Sequence, residues 1–123
     1  GLNGPGGCNE GFLRPDAILV VTFLSDDGNH ADKGDPAEWK ASIVAAKNGD
    51  EDAAVIAGLI LHPEQGCTNN QNDGTLGSHW QAFIDLWGPH GISGSICEPD
   101  YAPFFAEAVA AIDQTCKNFN PPG

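Results

Sequence analysis

The chain has no methionine, a single tyrosine and only five Lys and Arg residues, set against 17 Asp and Glu. The shortage of positive charge argues against nucleic-acid and anionic-lipid partners. A formal charge of −12 over 123 residues repels phosphate, and no Lys/Arg cluster offsets it. Long hydrophobic runs are missing too, and none approaches the roughly 18 residues that a membrane-spanning helix needs. The four cysteines, at 8, 67, 97 and 116, form no C-x-x-C pair, which removes support for a zinc ribbon or a thioredoxin-type redox site. Neither G-x-x-x-x-G-K-[ST] nor a post-strand G-x-G-x-x-G occurs, so nucleotide use is not expected. No G-x-S-x-G elbow exists, and Ser93 and Ser95 have no evident base. No signal peptide is visible, and a start at Gly1 without Met reads as a mature or fragmentary chain.

What is present suffices for a core, because 41% of the residues are apolar, with three Trp and six Phe. Residues 1–12 read as an irregular Gly-rich arm, 13–117 as a single α/β domain, and 118–123 as a disordered tail. Three apolar runs, Ala17–Leu24, Ala53–Leu61 and Gly91–Cys97, predict strands, the first buried on both faces. Helices fall between and after them. Asp35-Pro36-Ala37-Glu38 opens the first as N-cap, N1 and N3, Asn48-Gly49 closes it, and Trp39, Ile43 and Ala46 mark its buried stripe. The second runs from about Ser78 to Trp87, and Gly88 stops it. The third follows Asp100 and sets Tyr101, Phe104, Phe105, Ala108 and Ile112 on one face. The alternation predicts a three-stranded parallel sheet of three-layer α/β/α type, half of a doubly wound fold.

In such a sheet all strand C-termini share one edge. Cys67 and Cys97 then fall at that edge, Cys8 and Cys116 at the other, so the expected bridges are Cys67–Cys97 and Cys8–Cys116. The alternative is four buried free thiols. Two disulfides imply an exported setting, whether secreted, periplasmic or cell-surface. Ligands of open α/β sheets bind outside the carboxyl ends of the strands. The residues there are Ser25-Asp26-Asp27-Gly28-Asn29-His30-Ala31-Asp32, His62-Pro63-Glu64 and Glu98-Pro99-Asp100. Asp26, Asp27, His30 and His62 make a candidate ligand set for a divalent metal, oxygen donors suiting Ca²⁺ or Mg²⁺ and imidazoles suiting Zn²⁺. The competing reading makes these residues ordinary turn formers in an acidic chain. Asp35 and Asp100 read as N-caps, His79 as a surface residue, and His90 enters the third strand at the wrong edge.

The stretch Ile18–Asp27, an apolar strand ending in Ser25-Asp26, resembles the fourth strand of von Willebrand factor A domains. Asp35–Trp39, Val55–Leu61, Trp80–Trp87 and Gly94-Ser95-Ile96-Cys97 with Asp100-Tyr101 extend the likeness to the second half of bacterial exported members, over residues 13–117. The resemblance implies a metal-ion-dependent adhesion site, with Asp26, or Asp27 in the rival register, serving Mg²⁺ or Ca²⁺. The family's D-x-S-x-S motif has no counterpart here, so the chain looks like a half-domain. Its first strand then becomes an apolar edge that seeks a partner. A homodimer pairing Ala17–Leu24 with its copy is expected, or association with the absent half, unless the Gly-rich arm covers the edge.

Two functions follow as expectations. One is a binding or adhesion module that engages a protein or small-molecule ligand through the ion. The other is a small metal-dependent hydrolase of phosphate or carboxylic esters, in which Asp32 or Glu64 serves as base to a metal-bound water. A structural fragment without an active site is the third.

Overall fold

The computed structural model describes Gly11 and residues 13–25, 35–61 and 78–121. Three strands, β1 (Leu19–Leu24), β2 (Ala54–Ile60) and β3 (Gly91–Ser95), alternate with three helices, α1 (Pro36–Ala46), α2 (Ser78–Asp85) and α3 (Ala102–Asn118). The sheet is wholly parallel in the order β1-β2-β3, with Val21 opposite Ile56 and Gly58 opposite Ser93. The expected small α/β fold is therefore what the chain forms.

Each helix end follows from its residues. Asp35 caps α1 in a full capping box: its carboxylate accepts from the Glu38 N–H, and the Glu38 carboxylate accepts from the Asp35 N–H, both at 3.0 Å. Pro36 occupies the first helical position, where a missing N–H costs nothing. At the other end Asn48 and Gly49 take left-handed φ values of 57° and 86°, and the Gly49 N–H returns to the Val44 carbonyl at 2.9 Å. Asp35→Ala removes the cap at an exposed site and is expected to cost about 1 kcal/mol of stability, read from urea unfolding. A loss within error of zero would show that packing alone fixes the start of α1.

β2 is the centre of the molecule and is buried along its whole length. Its alternate residues point to opposite faces. Ala54, Ile56 and Ile60 pack with Phe83, Ile84 and Trp87 and with Trp39, Ile43 and Val44 of α1, whereas Ala57 and Leu59 pack with Phe104 and Ala108. So α1 and α2 cover one face and α3 the other. Each fully buried Ile or Leu here contributes about 1.5–3 kcal/mol relative to exposure, and β2 concentrates that stabilisation in one strand.

Four expectations need correction. β1 is not buried on both faces: Leu19, Val21 and Phe23 pack against the α1/α2 side, while Val20, Thr22 and Leu24 are exposed, because α3 lies over β2 and β3 only. On α3 the buried stripe is Phe104, Ala108 and Thr115, so Tyr101 and Phe105 lie outside it. That rotation carries Cys116 to the exposed side as a free thiol, and the Cys8–Cys116 bridge is not made. The helix also runs through Asn118, and Phe119 beyond it is half-buried, its ring 5.9 Å from the Lys47 ammonium, so the presumed tail is partly docked.

Candidate functional site

The carboxyl edge of the sheet is built by backbone continuing past the strands. The Ser25 N–H donates to the Leu59 carbonyl and the Ile96 N–H to the Ile60 carbonyl, both at 2.9 Å. Ser25 and Leu61, from which the next two segments depart, thus leave adjacent strands at one edge. Asp26, Asp27, His30, Asp32, His62 and Glu64, the candidate ligands and bases, lie outside the described residues, as do Cys8 and Cys67. Cys97, just past β3 at the same edge, is disulfide-bonded, and its partner is also outside them.

Aromatic packing stiffens this edge from below. Both α1 and α2 begin near it, which brings Trp80 from the first turn of α2 onto Phe23 near the end of β1, and Trp39 from the first turn of α1 onto Trp80. The ring centroids of Phe23 and Trp80 are 4.9 Å apart, those of Trp39 and Trp80 5.8 Å, and Phe83 closes the group edge-on to Trp39. The end of β1 is therefore packed on an aromatic base.

At the third strand a groove of about 350 Å³ runs between β3 and the start of α3. Its floor is Leu59, Gly94 and Phe104, and among the described residues its rim carries Glu98, Asp100 and Glu107 without a basic side chain. Gly94 is needed there, since a Cβ would sit 2.8 Å from the Phe104 ring. Local bonds shape the rim. The Ser95 hydroxyl accepts from the Cys97 N–H at 3.1 Å, the Asp100 carboxylate from the Ala102 N–H at 2.9 Å, and the Tyr101 hydroxyl donates to the Ile96 carbonyl at 2.6 Å. Tyr101 is the N-cap residue of α3, one position beyond the expected Asp100, yet the Asp100 side chain still serves the first helical N–H. Chemically, the groove attracts cations and repels anions.

Sequence reasoning found Glu98 and Asp100 at this edge but missed Glu107. The signal was available, because Asp100, Phe104 and Glu107 recur at i, i+4 and i+7 and so share one side of the helix start. Among the described residues no three His, Cys, Asp or Glu side chains are grouped to hold a metal ion.

His90 sits at the opposite edge, as expected, immediately before β3. Its Nδ1 lies 3.2 Å from the Thr115 hydroxyl and its Nε2 3.6 Å from the Asp52 carboxylate. This contact ties the end of α3 to the turn before β2. Nearby, the Lys40 ammonium bonds the Leu86 carbonyl at 2.8 Å and Glu51 at 2.9 Å, and that hydrogen bond holds the Glu51 carboxyl below the usual carboxylate range. His79 is exposed on α2. Both histidines read as structural or surface groups.

No family model, curated protein or solved structure matches the chain. Among the described residues no helix is long and apolar enough to cross a membrane.

Proposed function

We propose that the chain is a divalent-cation-binding module of von Willebrand A-like type, which engages its ligand through an ion held at the carboxyl edge of the sheet. One observation carries the reading: β1 and β2 end side by side at the edge from which the Asp26–Asp32 and His62–Glu64 segments depart. The rim of Glu98, Asp100 and Glu107 beside them adds negative field that favours a cation. Ligands for the ion come from Asp26 and Asp27, whose hard oxygens favour Ca²⁺ or Mg²⁺. An exported, oxidising setting suits the disulfide at Cys97.

Calorimetric titration of the metal-stripped protein with Ca²⁺, Mg²⁺ and Zn²⁺ tests this. Joint Asp26→Asn and Asp27→Asn substitution is expected to weaken Ca²⁺ or Mg²⁺ binding at least about tenfold, because two charged ligands are lost. Joint His30→Ala and His62→Ala substitution is expected to leave it nearly unchanged. Absence of binding by the parent, or full binding by the Asp double variant, would sink the proposal. Zinc binding that vanishes with the histidines would replace it with the hydrolase, in which Asp32 or Glu64 acts as base.

A further inference from the structure

Among the described residues, the exposed side of β1, with Thr22 at its centre, and one flank of α3 both present apolar side chains. Val20 and Leu24 of β1 are 38% and 70% exposed, and Phe105 and Val109 of α3 are 49% and 64% exposed. All four belong to the same side of the sheet, since Val20 and Leu24 stand in register with Val55 and Leu59, and Leu59 packs on α3. The flank of α3 that carries Pro103 and Glu107 lines the groove beside β3. The other flank therefore looks toward β1. It bears Phe105, Val109, Ile112 and Cys116, spaced by four, three and four residues as in the seam of a two-stranded coiled coil. Between Ala102 and Ile112 the only charged residue is Glu107, on the opposite flank. In a chain of formal charge −12 such a neutral face is where two copies approach with least repulsion.

We propose that this face joins two copies of the chain by interdigitation, each α3 filling the vacant strip over the other's β1. Among the described residues the shape is self-complementary, because each copy offers one helix and, beside it, one helix-wide gap. A two-fold axis parallel to the strands sets the two α3 helices side by side and parallel, meeting along Phe105, Val109, Ile112 and Cys116. With 17 residues, α3 is about 25 Å long, and helix plus strip span about 20 Å. That is on the order of 500 Å² in projection, comparable with the roughly 800 Å² of accessible surface that one partner of a standard interface contributes. The edge-to-edge pairing of Ala17–Leu24 expected from the sequence is a poorer solution. It places the two α3 helices antiparallel on either side of the joined β1 strands and leaves the strip open.

Light scattering of the full chain at micromolar concentration, combined with thiol cross-linking, tests the arrangement. Twice the 12.8 kDa chain mass is expected, together with a covalent dimer when a short bismaleimide adds to both Cys116 thiols. Cys116→Ser should abolish that product without changing the mass in solution. Val109→Glu should weaken association about tenfold or more while leaving the circular dichroism spectrum intact, since Val109 is exposed in the single chain. A species of single-chain mass would overturn the proposal. So would a dimer that is neither linked through Cys116 nor weakened by Val109→Glu, which is the signature of edge pairing.

Discussion

Gly91→Ala is expected to lower the unfolding free energy by about 3 kcal/mol, and Gly58→Ala by only about 1 kcal/mol, although both glycines lie in the sheet beneath α2. The difference lies in what a new methyl group meets. At Gly91 it runs into the backbone carbonyl of Ile84, so α2 itself must move away from β3. At Gly58 it meets the far ends of side chains, the Phe23 ring at 2.6 Å and the Ile84 Cδ1 at 2.9 Å, which can shift by a few tenths of an ångström without moving a helix backbone. Both variants gain a few tenths of a kcal/mol or more from reduced freedom of the unfolded chain, and at Gly58 this offsets much of the cost. Against a typical stability of about 5–15 kcal/mol, the Gly91 effect is large. Urea unfolding with an unchanged slope measures it. Equal losses at the two positions would mean that the close contact of α2 with β3 is not what Gly91 provides.

A second glycine contact, of Gly94 with Phe104, explains part of what the sequence left illegible. The strands, the capping box at Asp35 and the stop at Asn48-Gly49 are local signals, and the structure carries them with shifts of one or two residues. The orientation of α3 is not local. Phe104 and Phe105 are adjacent and equally apolar, and an alanine-rich helix gives periodicity little to choose between neighbouring stripes. The sheet decides, because the missing side chain at Gly94 leaves space for the Phe104 ring, which a Cβ there would approach to 2.8 Å. The half-burial of β1 is hidden in the sequence for a similar reason. Its run of apolar residues matches that of β2, and only the lateral position of α3 distinguishes a covered strand from a half-covered one. At the candidate site the common edge of Ser25 and Leu61 was legible from strand alternation, whereas the groove was not. It depends on how Glu107, about one helical turn past Pro103, is brought over β3.

Lys47→Met is expected to cost about 2–3 kcal/mol and to do so unevenly along the chain. Lys47 follows α1 and is 5% exposed, with its ammonium donating to the Arg14 carbonyl at 2.8 Å and the Ala17 carbonyl at 2.5 Å. It thereby holds the segment that leads into β1, and its approach to the Phe119 ring draws in the residue after α3 as well. Methionine preserves the length and most of the apolar contact of the stem, so the loss isolates the charged hydrogen bonds. Hydrogen exchange of the Leu19–Leu24 amides should accelerate more than that of Gly91–Ser95, because β1 loses its anchor while β3 keeps its packing against α2 and α3. Lys40→Met serves as the comparison. That ammonium is more exposed, and its bonds to Glu51 and the Leu86 carbonyl are both at the surface, so its removal is expected to cost about 1 kcal/mol or less. Uniform acceleration over all three strands would show that β1 unfolds only with the whole domain, and would make Lys47 a contributor to global stability instead of a clamp on the edge strand.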